Sequence, residues 1–132
     1  MAGAQFAAQI RDFKNVVESR LDAFEVETIR EIGARLVARS PVKTGLFRSN
    51  WFYSFNAPDT ASTTSDTGGV VVNNIGAIPP KSFGGVHYLQ NNLPYAWRLE
   101  TGYSKQAPAG IVGITALEFG GIVDDVVLRV RQ

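Results

Sequence analysis

Residues 6–24, FAAQIRDFKNVVESRLDAF, set Phe6, Ile10, Phe13, Val17, Leu21 and Phe24 at spacings of four and three. That recurrence follows the 3.6-residue turn and marks one apolar face of an amphipathic helix. Arg11, Asp12, Lys14, Glu18, Arg20, Glu27 and Glu31 fall between them. Lys14 and Glu18, four residues apart, suit an ion pair on the solvent side. Ile29, Ile32 and Leu36 continue the pattern with a small phase drift, no glycine interrupts before Gly33, and Pro41 ends the run. The residue before a proline is pushed out of helical space, so the helical segment is read over residues 1–40. A helix of about 35 residues would be about 50 Å long, more than a domain of this size needs for its own core. Two readings follow: a bend near residues 25–28, or a helix that reaches out to a neighbour.

Beyond Pro41 the period changes. Over 47–56, Trp51, Tyr53 and Phe55 alternate with Asn50, Phe52, Ser54 and Asn56, the pattern of a half-buried strand rich in aromatics. Thr44 and Gly45 make its tight entry. Residues 57–69 (APDTASTTSDTGG) offer nothing to bury and read as a mobile loop or hairpin tip. Val70 to Val72 fit either a strand or a helix start. Residues 75–85, with Pro79–Pro80 and Gly84–Gly85, form a second loop, and 86–90 form a short strand turned by Asn91–Asn92.

The stretch 91–110, NNLPYAWRLETGYSKQAPAG, holds a turn, a helical turn started by Pro94, a stop at Gly102 and a helix started by Pro108. In that last helix Val112, Ala116, Phe119, Val123, Val126 and Val130 form a stripe, widened by Ile111, Ile114, Leu117 and Ile122. So broad an apolar face calls for cover from more than one side. The expected fold is α+β: a long N-terminal helix, a small antiparallel β-sheet of about three or four strands, and a C-terminal helix packed on the sheet. All 132 residues form one domain.

Composition narrows the chemistry. Hydrophobic residues at 45% and charged residues at 19% describe a globular chain, and a net charge of +1 gives no reason for nucleic acid or an acidic membrane as obligate partner. With no cysteine and one histidine, disulfides and thiolate zinc sites are excluded and no metal site or cofactor is expected. The start lacks the basic-then-apolar order of a secretory signal, and no apolar run approaches the ~20 residues that span a bilayer; a soluble product is expected.

No catalytic set emerges. His87, between Val86 and Tyr88, reads as a half-exposed strand residue, and a small hydrolase using it is the remote alternative. Asp124 and Asp125 are adjacent on a helix and point apart. Glu100, beside Arg98 and near Tyr95, reads as a structural hydrogen-bond or ion-pair partner before a catalytic acid. Arg48 with Trp51, Phe52 and Tyr53 is the single candidate for stacking on nucleic acid, and the strand-core reading is favoured.

The order of motifs carries more than any one of them. After the N-terminal helix come SPVKTGLFRSNW (40–51), a polar loop, VHYLQNNLPYAWRLETG (86–102) and SKQAPAGIVGITALEF (104–119). This resembles the neck or tail-completion proteins of long-tailed bacteriophages, also called head–tail joining or minor tail proteins. The resemblance covers most of the chain and is weakest over 57–85. It implies an α+β structural subunit, not an enzyme, that closes into a ring around the DNA channel between head and tail. A hexamer is implied by the sixfold tail below. Implied partners are the head connector or head-closure protein and the tail-terminator or tail-tube proteins, with non-specific proximity to packaged DNA and no membrane. The implied location is the virion, after assembly in the host cytoplasm. Pro41, Thr44, Gly45 and Trp51 match the first motif, and Asn92, Pro94, Tyr95, Glu100 and Gly102 the second, as residues that shape the fold and the subunit contact. The 57–69 and 75–85 loops are the expected contacts to neighbouring subunits or rings. A tail-terminator or tail-tube component is the alternative structural role.

Overall fold

A computed structural model describes residues 2–42, 45–65, 72–101 and 110–131. Its spine is α1 (Ala2–Arg39), one unbroken helix of 38 residues and about 57 Å. There is no break at residues 25–28, since neither proline nor glycine interrupts the hydrogen-bond ladder there and the Thr28 hydroxyl bonds back to the Phe24 carbonyl at 2.7 Å. The helix ends in a closed set of caps. Ser40 gives its N–H to Val37 O (3.1 Å) and its hydroxyl to Leu36 O (2.7 Å), and Arg48 Nε reaches Val37 O at 3.1 Å. Carbonyls left over at a helix C-terminus are thereby satisfied before Pro41 turns the chain away.

One face of the inner half of α1 holds Ile29, Leu36 and Val37, which join Phe47, Trp51, Tyr53, Val72, Ile75 and Ile111 in the core. Gly33 lies on that face because Val72 leaves no room. A Cβ there would sit 2.8 Å from Val72 Cγ2.

Strands β1 (Trp51–Phe55) and β2 (His87–Asn91) pair antiparallel, from Trp51↔Asn91 to Phe55↔His87. Among the described residues the sheet has these two strands, fewer than the three or four expected. A third segment starts to pair, with Asn73 bridging to Phe52 and exchanging hydrogen bonds with Trp51 and Tyr53. It goes no further because Asn74 adopts a left-handed φ of 66° and starts a 3-10 turn, Ile75–Ala77. Val72 leads into that bridge. Val70 and Val71 lie outside the described residues, as do Thr44, Gly102 and Pro108.

The C-terminal helix expected as one piece is two: α3 (Val112–Leu117) and α4 (Phe119–Val130), broken at Glu118. Between β2 and α3 lies the short helix α2 (Ala96–Glu100). α4 packs along α1 rather than on the sheet. The break rotates the expected stripe out of phase. Ile111, Thr115, Ile122 and Val126 are buried, whereas Val112, Leu117 and Phe119 face solvent.

The loop after β1 has more structure than its composition promises. Amide side chains on the hairpin grip residues 57–65 as surrogate backbone. Gln90 Oε1 accepts from Asp59 N (2.8 Å), Asn92 Nδ2 donates to the carbonyls of Asp59 and Ala61 (both 2.8 Å), and fully buried Asn50 bonds both N and O of Thr63. Residues 66–69 lie outside the described residues. The 75–85 loop docks on α1, where Asp22 accepts from Phe83 N (3.1 Å) and Glu25 from Gly84 N (3.4 Å).

Candidate functional site

Trp51 is the hinge pin of the first motif. Its indole N–H donates to Ser40 Oγ at 2.8 Å and its ring meets Phe47 edge-on at 5.9 Å, tying the end of α1 to the start of β1. Gly45 takes a φ of 78°, and its carbonyl receives both the N–H (3.1 Å) and the hydroxyl (2.8 Å) of Ser49, which starts the turn into β1. Pro41 stands between these two devices.

In the second motif Asn92 holds the 57–65 loop, as above. Pro94 and Tyr95 form the turn before α2, with the Tyr95 ring tilted against Phe47 at 6.1 Å. Glu100 caps the start of α3, accepting from the N–H groups of Ile111 (3.0 Å), Val112 (2.6 Å) and Gly113 (2.9 Å). Burial pushes its carboxyl up, but the three N–H donors outweigh burial and hold it below the ordinary carboxylate value. Gly110 makes the approach possible. Its φ is 87°, and a Cβ there would lie 2.6 Å from the Glu100 carbonyl oxygen.

Two polar arrays had no sequence signal, because their bonded partners are 34 to 83 residues apart. In the first, Glu25 bonds His87 Nε2 while His87 Nδ1 meets Tyr53 Oη at 2.8 Å. Burial, and then the Glu25 charge, push the Tyr53 phenol up. Both ring nitrogens of His87 thus face structural partners, one on α1 and one on β1. In the second, Glu118 at the α3–α4 break takes hydrogen bonds from Arg39 and, at 2.8 Å, from Arg35. Those two bonds, Arg39 first, hold the Glu118 carboxyl below its ordinary value.

All of residues 2–20 of α1 are exposed. Phe6 at 65%, Phe13 at 69%, Ile10 and Val16 therefore stand in water, and Val17 lies half-covered at the edge of a groove against Val127 and Val130. A second apolar face, with Leu117 at 87% and Leu128 at 57% exposed, lies on α3 and α4. No group of three or more potential metal ligands occurs among the described residues, and none of their helices is long and apolar enough to cross a membrane. Comparison with protein-family models, curated proteins and solved structures returned no match.

Proposed function

We propose that this chain is a structural virion subunit that closes into a ring at the head–tail junction of a tailed bacteriophage. It would complete the neck or tail around the DNA channel. The reading rests on the motif order of residues 40–51 and 86–119. The single observation that carries it is the outer half of α1. An apolar stripe projected into water on an isolated helix is costly for a monomer and natural for an obligate assembly. Most large exposed apolar side chains lie on helical or turn surfaces outside the hairpin, which leaves the hairpin as scaffold and the helices as contact. A net charge of +1 suits a lumen through which a duplex must slide, since dense positive charge would hold DNA by counterion release.

The test is loss of the protein during infection, followed by imaging of the particles. Filled heads and separate tails are expected, and normal tailed particles would overturn the assignment. Imaging of intact virions places the collar. Contacts confined to tail-tube subunits would move the protein from the neck to the tail.

A further inference from the structure

We infer that the outer half of α1 in one copy lies against the outward face of α3 and α4 in the next, and that this head-to-tail contact closes the ring. The inference rests on the ring reading and specifies its interface.

The side of α1 that meets α3 and α4 of the same chain carries Arg39 and Arg35, both bonded to Glu118, and then Phe24, Leu21 and Val17, which line a groove with Val127 and Val130. Stepping outward by fours and threes, the same side carries Phe13, Ile10 and Phe6. Among the described residues the cover on this stripe reaches Val17, beside Val127 and Val130, whereas the stripe runs on to Phe6. A helix with an apolar face of its own would supply the missing cover.

The chain itself presents one. Leu117 and Leu128 are exposed on the side of α3 and α4 away from fully buried Ile122 and Val126. Gly120 and Gly121 lie between them in exposed helix, and a Cβ at either would meet nothing within 4 Å. No contact within the subunit requires those glycines, which weaken a helix but let another backbone approach closely.

Charge selects this pairing over two arms side by side. Lys14, which also pairs with Glu18 at 3.8 Å, and Arg20 border the stripe on either side, and Asp124 and Asp125 border Leu128, with Arg131 three residues beyond it. Arm against arm would set cations near cations, while arm against α4 sets cations near carboxylates. Size agrees as well. The three bare stripe side chains, Phe6, Ile10 and Phe13, present on the order of 350 Å², close to half of the ~800 Å² per partner in a stable interface. A contact between two different patches propagates head to tail and closes as a ring, whereas two arms would stop at a dimer.

The chain has no cysteine, so introduced thiols report cleanly. Phe13→Cys with Leu128→Cys should give, on mild oxidation, a ladder of disulfide-linked multimers, and either substitution alone should give none. Lys14→Glu with Arg20→Glu should weaken association, read by sedimentation, by about tenfold or more, and Asp124→Lys with Asp125→Lys in the same chain should restore it. All these side chains are exposed, so the fold is retained. Arm-to-arm dimers from Phe13→Cys alone, or a multimer indifferent to Phe13→Glu, would overturn this contact and leave the ring standing. A wild-type chain that sediments as a monomer at every concentration would overturn both.

Discussion

The two halves of α1 obey the same spacing rule and meet opposite fates. The inner half is held from two sides, by the hairpin at Ile29, Gly33, Leu36 and Val37, and by α3–α4 at Phe24, Arg35 and Arg39. The outer half, residues 2–20, is exposed throughout, and it borders other segments at its inner end, through Val17, Glu18 and Arg20. Helices in water gain most of their stability from packing an apolar face, and isolated ones of this length are marginal. The inner half is therefore part of the fold. The outer half is a helix whose stability must come from elsewhere.

That contrast sets a gradient of expected effects. The largest belongs to the motif that anchors the inner half. Trp51→Ala should cost about 3–5 kcal/mol in urea unfolding, because it opens a cavity beside Phe47 and strips Ser40 of its indole donor. A loss below about 1 kcal/mol would mean that the hairpin is not pinned to α1 there. Gly33→Ala comes next, at about 1–3 kcal/mol, since its methyl would press on Val72 Cγ2. A neutral result would show that the inner contact is looser than the geometry describes.

Glu100→Ala should cost about 1–2 kcal/mol by leaving three N–H groups at the start of α3 without their acceptor, and Glu100→Gln should cost less. The pH dependence has a definite sign. The Glu100 and Glu118 carboxyls sit below their ordinary value of 4.5 in the folded chain. Their contribution is thus complete above about pH 4.5 and is lost as pH falls through the depressed folded values. Acid titration of the Glu100→Gln, Glu118→Gln chain should show a shallower fall than the wild type, and an identical fall would refute the assignment. The smallest effect belongs to the arm. Phe13→Ala should change the stability of the free subunit by less than about 0.5 kcal/mol. In the monomer, hydrogen exchange should be fast over residues 6–20 and slow over 29–37. Equal protection in both halves would erase the distinction on which the assembly argument stands.

The helix was legible because its signal is local, with Phe6 to Phe24 and the stop at Pro41 both readable within a few turns. The strand cores around Trp51 and Leu89 were legible for the same reason. The strand count was not: among the described residues a third segment makes one bridge, at Asn73, before left-handed Asn74 turns it away. Glu100 was readable as a structural carboxylate, yet its partners, the N–H groups of Ile111, Val112 and Gly113, were not. Nothing in the residue sequence marks which helix start will fold back to meet it. The Glu25–His87–Tyr53 array was invisible for the same reason.

The amino-acid order alone thus settled the long N-terminal helix, the two paired strands, which faces are apolar, and that one such face runs to the N-terminus of α1. Those properties depend on neighbours within three or four residues. Only the tertiary structure decided which apolar faces find cover. Among the described residues the stripe is bordered by α4 as far as Val17 and bare from Phe13 to Phe6, because burial depends on where distant segments lie in space.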